Sequence, residues 1–319
     1  MKTIITIGSG YSGSSAIYEY LCLSNLFFDP FPSHQEFSIM YDPGGISDIE
    51  NCLNNNFTPN KNKVIYDRFL ENIKFYTSDN RGLKPGYNIK LKDENFEEIL
   101  KKYLNSITEV VYEGESNFLK FNNSRLVNLY KKLLLKFQIR LKDKMVLFCN
   151  INDFEIKTKD LFKKIFLLNN SNQKDVILDQ AGNIWSPYSS TKYFENAKVL
   201  VILRDPRDIF SEFKGKTANS YPGNDVNKFC AWYENIMKKI VTEEYKKSNI
   251  LKFNFEDFIL NNNHMMKNIS NFLDIEFDTK NIDFNFDYSK KNIKRYKNNL
   301  TNEEISKIEI KLKKYLYNI

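Results

Sequence analysis

Only four cysteines occur in the 319 residues, at positions 22, 52, 149 and 230, and no two stand at a paired spacing. That excludes a disulfide framework and a cysteine-built zinc site; the four read as reduced core residues. The two histidines, His34 and His264, are too few for a histidine-rich metal centre, and no metal is expected. No apolar run reaches the length of a membrane-spanning helix. At the start, one lysine precedes the short apolar run 4–7, which does not read as a signal peptide, so a cytoplasmic protein is expected. Charge of one sign is also scarce: 47 Lys and Arg against 40 Asp and Glu leave a net charge of +7. This small excess suits an anionic ligand. The lysines are scattered among asparagines, as at 60–63 and 290–295, with no concentrated basic stripe or recognition motif, so nucleic acid is not the expected partner. There is no internal repeat and no low-complexity linker.

What is present begins with residues 4–18, Ile-Ile-Thr-Ile-Gly-Ser-Gly-Tyr-Ser-Gly-Ser-Ser-Ala-Ile-Tyr. They read as a buried strand, a Gly/Ser turn and a helix over about 14–23. The spacing from Gly8 to Gly13 is that of a phosphate-binding loop, Gly-x-x-x-x-Gly, but Ser14 stands where a nucleotide-triphosphate enzyme carries its lysine. The glycines let backbone N–H groups turn toward one point, Ser14 and Ser15 add hydroxyls, and the helix directs its positive end there. The plain alternative is a flexible turn joining a strand to a helix.

A second motif lies at 198–211, Lys-Val-Leu-Val-Ile-Leu-Arg-Asp-Pro-Arg-Asp-Ile-Phe-Ser. The run 199–203 reads as a buried parallel strand, and Pro206 falls in the first turn of a helix. Arg204 therefore sits at the strand's carboxyl end, the edge where open α/β sheets bind ligands, with Ser211 on the following helix. A guanidinium suits phosphate because its planar fork makes paired, charge-assisted bonds. The plain alternative is an arginine paired with Asp205 or Asp208 at the surface.

Together these segments resemble the sulfotransferase family that uses 3′-phosphoadenosine 5′-phosphosulfate (PAPS). The resemblance extends to Ile250-Leu-Lys-Phe-Asn-Phe-Glu-Asp-Phe258, to the helix ending Asn-Phe-Leu273, and to Ile293-Lys-Arg-Tyr-Lys-Asn-Asn-Leu-Thr301. It covers about half of the chain, mostly from 172 onward plus the first 25 residues. It implies an α/β fold with a parallel sheet of the phosphate-loop type flanked by helices. It implies PAPS as cosubstrate, leaving adenosine 3′,5′-bisphosphate (PAP) as product. Gly10, Ser12, Gly13, Ser14 and Ser15 would form the phosphosulfate loop, Arg204 and Ser211 would hold the 3′-phosphate, and Lys294 and Arg295 would lie in the basic loop near the nucleotide. Many members carry a lysine two residues before the loop's last glycine; here Tyr11 stands there, and its hydroxyl supplies no positive charge. Lys192, Lys214, Lys216, Lys294 and Arg295 are candidates to replace that charge.

The rest of the chain reads as helices at 62–77, 94–106 and 120–141, from apolar residues at three- and four-residue spacing. Short apolar runs at 145–149 and 175–178 join 4–7, 199–203 and 250–253 in an expected sheet of about five strands. We expect a single domain with a mostly helical insertion at about 40–140, the least family-like part, where acceptor choice would reside. Trp185 and Trp232 are expected to pack in the core, although one ring near the nucleotide could stack on adenine. A base must take the acceptor's proton. In Phe31-Pro-Ser-His-Gln-Glu-Phe-Ser38, His34 and Glu36 reach the ligand edge if the chain returns across it; Asp179, followed by Gln180, ranks third, ahead of Asp42, Glu113 and Glu115.

The expected reaction is in-line transfer of a sulfuryl group to an acceptor hydroxyl. Glu36 or His34 would act as base, and the loop amides and Ser14 would hold the charge that develops on the leaving phosphate. Resemblance to bacterial relatives points to a sugar or glycan acceptor, and richness in Asn, Lys and Ile points to an AT-rich, bacterial genome. The alternatives are an ATP-dependent kinase, weakened by the missing lysine, and a non-catalytic nucleotide- or glycan-binding module.

Overall fold

The computed structural model describes residues 1–31, 36–77, 95–115, 124–137, 139, 142–214, 221–278 and 282–317. Six strands occur among them: β1 (Thr3–Gly8), β2 (Thr108–Glu115), β3 (Lys142–Phe148), β4 (Val176–Asp179), β5 (Ala197–Leu203) and β6 (Ile250–Asn254). The chain divides into two compact units, one formed by Met1–Phe37 with Phe166–Ile319, the other by Ser38–Ile165.

In the first unit a four-stranded sheet has the order β4-β1-β5-β6. All its pairs are parallel: Thr3 aligns with Val176 on one side and with Ala197 on the other, and Val199 aligns with Ile250. Parallel strands covered on both faces need apolar residues on both, which is what Ile4, Ile5, Ile7 and 199–202 supply; all are fully buried. The chain leaves β1 toward β4 and leaves β5 toward β6, so the carboxyl ends of β1 and β5 flank a switch point, where such sheets form a crevice. Past the helix Ser14–Leu23 the chain runs back along the outer edge of β4, with single parallel bridges from Phe28 to Val176 and from Glu36 to Asp179. One core cluster joins Ile17, Tyr18 and Leu21 to Phe258 and Ile269. A second joins Phe210 and Phe213 to Phe229, Tyr233 and Ile308.

The second unit contains the helices Ile46–Asn55, Pro59–Thr77, Asn95–Ile107 and Arg125–Lys136, together with most of Ile151–Leu167. Its β2 and β3 form a two-stranded antiparallel sheet. Asn62, fully buried, donates to the Thr58 carbonyl at 2.8 Å and accepts from the Phe148 amide at 2.9 Å, which satisfies an end of β3 from inside.

Two expectations about elements are corrected. The run at 145–149 does not enter the main sheet: it pairs with β2, the strand next to it among the described residues, and so the parallel sheet has four strands. The helix expected over 120–141 is Arg125–Lys136, started by the Ser124 hydroxyl, which accepts from the Val127 amide.

Candidate functional site

Every residue placed below belongs to the first unit. The loop after β1 turns through three residues of positive φ, Gly10 at 80°, Tyr11 at 51° and Gly13 at 86°. Gly13 precedes the helix in the left-handed conformation, and a Cβ on it would run into the Phe255 ring; only glycine satisfies both conditions. No side chain caps this helix, and its first turn holds no acidic residue, so the leading N–H groups remain available to an anion. The Ser9 and Ser12 hydroxyls are buried with no hydrogen-bond partner among the described residues.

Ser14 is held by Gln180. The Gly8 amide donates to Oε1 of Gln180 at 3.3 Å, and Nε2 of Gln180 donates to the Ser14 hydroxyl at 2.6 Å. A serine that accepts from an amide still has its own proton to donate, so Gln180 turns Ser14 into a donor. Ser211 is treated the same way: it is buried, and Asn299 Nδ2 donates to its hydroxyl at 2.9 Å. Ser15 is exposed.

Arg204 is buried, and its donors do not go to Asp205 or Asp208. One terminal nitrogen donates to the Tyr11 carbonyl at 2.9 Å, the other to the Asn292 carbonyl at 2.6 Å. Nε has no partner among the described residues, and the guanidinium lies 5.3 Å from the centre of the Phe255 ring. Asp205 instead pairs with Arg207 at 2.6 Å. Asp208 accepts from the amides of Lys294 and Tyr296 at 2.9 and 3.0 Å and so fixes the turn in which Lys294 takes a φ of 58°. Burial pushes its carboxyl up, against those two bonds and the Arg204 charge. Arg204 therefore ties the loop after β1 to the turn 292–296. The adjacent Glu256 is fully buried, with Oε1 accepting from the Asp205 amide and Oε2 without a partner among the described residues; burial pushes its carboxyl up to about 7.

Of the bases named as substitutes for the missing lysine, Lys214 meets both carboxylate oxygens of Glu304 at 2.8 Å and Arg295 pairs with Glu212 at 2.8 Å. Lys192 stands over the Tyr193 ring. Lys216 and His34 lie outside the described residues. The Tyr11 ring packs edge-on against Phe213 and Tyr221. Trp232 joins that aromatic group, whereas Trp185 is at the surface, a correction to its expected place in the core.

Glu36, with its side chain exposed, and Asp179 meet at the carboxyl end of β4, where the Phe37 amide donates to the Asp179 carbonyl at 2.9 Å. The Asp179 carboxyl is buried and accepts from the Thr6 hydroxyl at 2.9 Å. Burial pushes it up to about 7; the Thr6 bond opposes the rise and the charge of Glu36 adds to it. Folding at this position therefore takes up a proton between the unfolded value of about 4 and about 7. The sign follows: stability is lost as pH rises across that window and is level above it. Asp179→Asn keeps an oxygen for Thr6 and removes the charge, so its gain in Tm over the parent should be larger at pH 8 than at pH 5. Equal gains at the two pH values would show that the carboxyl is ionised in the folded protein at both.

Sequence reasoning named the loop and Arg204 from local motifs, but gave no place to Phe255 beneath the loop or to Tyr221, whose hydroxyl lies 2.8 Å from where a Cβ of Gly10 would stand. It also missed Asn299 behind Ser211. Nothing in spacing marks such partners.

The model of the sulfotransferase family matches residues 100–279, more than half of the chain. The match takes in Asp179, Arg204 and Ser211 but neither the first 25 residues nor 292–301, and it begins inside the segment expected to be least family-like. Among solved structures, the chain is similar to the sulfotransferase domain of the olefin synthase from Synechococcus PCC 7002, with TM-score 0.44 and 11% identity over 100% of this chain and 96% of that one. It is similar to retinol dehydratase in complex with androsterone and PAP, with TM-score 0.39 and 13% identity over 99% and 81%. It is also similar to sulfotransferase STF9 from Mycobacterium avium, with TM-score 0.39 and 11% identity over 100% and 77%. No curated protein matches.

Proposed function

The chain belongs to the sulfotransferase family, the PAPS-dependent enzymes its two motifs resemble, and on that premise we propose that it passes the sulfuryl group to a hydroxyl of a sugar or glycan. The observation that carries the assignment of the site is the junction at Arg204. There a buried guanidinium joins the loop after β1 to the turn 292–296, and among the described residues neither its Nε nor two buried serine hydroxyls of the loop have a hydrogen-bond partner. Unpaired buried donors are costly unless a ligand completes them, and an anionic nucleotide fits that deficit.

PAPS, when bound, supplies the activated sulfuryl group. The chain's own residues do the remainder. The amides of the loop and the leading turn of Ser14–Leu23 face an anion with donors only. Ser14, made a donor by Gln180, adds a hydroxyl where charge develops, and Ser211, made a donor by Asn299, serves the 3′-phosphate beside Arg204. Glu36, exposed at the end of β4, takes the acceptor's proton. The half-buried rings of Tyr11 and Tyr221 stand edge-on to each other beside the loop, with Tyr221 stacked on Phe213, and are the aromatic groups we assign to pack against the sugar.

Thermal unfolding with PAP, ATP or GTP tests the donor half. A clear rise is expected with PAP, about 2.7 kcal/mol at a hundredfold excess over Kd, and little with ATP with or without magnesium. A preference for magnesium-ATP would sink the reading and favour a kinase. The acceptor half is tested by offering radiolabelled PAPS with oligosaccharides, phenols or steroids, where label on phenols or steroids alone would overturn the glycan assignment.

A further inference from the structure

The helix Arg125–Lys136, Arg-Leu-Val-Asn-Leu-Tyr-Lys-Lys-Leu-Leu-Leu-Lys, has no buried residue. With about 3.6 residues per turn, Leu126, Leu129, Tyr130 and Leu133 fall on one stripe, continued by Phe137 just past the end. A surface helix of a globular protein turns such a stripe inward. Here Leu126 is 78% exposed, Tyr130 60% and Phe137 74%. Arg125, Lys132 and Lys136 fall together along one flank of that stripe, next to Leu129.

The charge around it is one-sided. From Glu115 to Asp143 the sequence has no acidic residue between them, while Lys and Arg occur at 120, 125, 131, 132, 136, 140 and 142. This one stretch thus carries a surplus as large as the net charge of the whole chain, +7, so the basic residues are concentrated here after all. Of the surfaces that could cover such a helix, a second copy would set this positive face against itself, which like charges oppose. A nucleic acid would meet the lysines but leave the leucine stripe in water. A bilayer bearing anionic headgroups satisfies both, the stripe entering the acyl boundary and the ammonium groups staying at the phosphates. No helix of the described residues is long and apolar enough to cross a membrane, so the contact lies along the surface.

We propose that the helix Arg125–Lys136 is a docking surface for an anionic phospholipid bilayer, with Leu126, Leu129, Tyr130, Leu133 and Phe137 as the inserted face. The test is co-sedimentation of the full chain with phosphatidylcholine vesicles, with and without phosphatidylglycerol. Binding to the anionic vesicles should be at least roughly tenfold tighter and should weaken with salt. Leu129→Gln with Leu133→Gln removes the apolar face, and Lys131→Glu with Lys132→Glu reverses charge beside it; each pair should lower binding roughly tenfold or more. All four substitutes are good helix formers at unburied positions, so unchanged far-UV circular dichroism and thermal unfolding would show that folding is intact. Equal or no binding to the two vesicle types would overturn the proposal. So would loss of binding in the lysine variant alone with tight binding to an RNA oligonucleotide, or a dimer in sedimentation velocity that the leucine variant dissolves.

Discussion

Arg204→Ala should lower affinity for PAP by roughly ten- to a hundredfold, and affinity for adenosine 5′-phosphosulfate, which lacks the 3′-phosphate, by clearly less. A hydrogen bond to a charged group is worth about 1.5–3 kcal/mol, and each 1.4 kcal/mol is about a factor of ten. Alanine removes that contact and also the two bonds from the guanidinium to the Tyr11 and Asn292 carbonyls, so some loss for both ligands and a lower Tm are expected. Arg204→Lys separates these effects. An ammonium keeps the charge but lacks the planar fork that serves two carbonyls on opposite sides, so it should recover part of the PAP affinity and little of the Tm. Titration calorimetry with both ligands gives the comparison; equal losses would assign Arg204 to holding the loop and turn together, with no part in reading the 3′-phosphate.

Glu36→Gln is expected to leave PAP affinity within about twofold and to lower turnover roughly 10²-fold or more. Glutamine keeps the length and hydrogen bonding of the side chain but cannot accept a full proton. The backbone pairing of 36 and 37 with Asp179 is indifferent to the change, so the segment should stay in place. Asp179 is a poorer base despite a carboxyl raised to about 7, because it is buried and already engaged by Thr6. His34→Asn should be measured in parallel. Near-normal turnover of Glu36→Gln with loss in His34→Asn would move the role to His34, and full activity in both would move it to Asp179.

The parts of the fold that were legible are those in which burial on both faces writes itself into the chain. The runs at 4–7, 175–178, 199–203 and 250–253 each fall within a residue or two of β1, β4, β5 and β6, because a parallel strand between two helical layers has no solvent face to interrupt it. The run at 145–149 has the same composition, yet apolar character does not say which sheet a strand joins. Its partner β2 was not legible at all, since Val110, Val111 and Tyr112 are exposed and no buried face imposes alternation on them. The periodicity of 120–141 indicated a helix, which is present at Arg125–Lys136, but periodicity does not say what covers its apolar stripe, and here the stripe is exposed. In the site, the glycines, serines and Arg204 stand in local motifs. What orients them comes from far along the chain, Gln180 for Ser14 and Asn299 for Ser211, and pairing across such distances leaves no trace in spacing.

The interruption of the first unit by the second also sets an order of assembly. Thr6 and Asp179, bonded across β1 and β4, are 173 residues apart. On a ribosome adding about 5–20 residues per second, roughly ten to thirty seconds pass between their appearances. Over that interval Ile4, Ile5 and Ile7 have neither neighbouring strand, while residues 38–165, contiguous and equipped with their own core, are free to close. The strand that carries the phosphate loop is thus made first and seated only after the whole second unit has emerged. Its exposed isoleucines are the segment that a nascent-chain chaperone would have most reason to hold, and a transcript broken ahead of β4 would release a compact second unit trailing an unpaired strand.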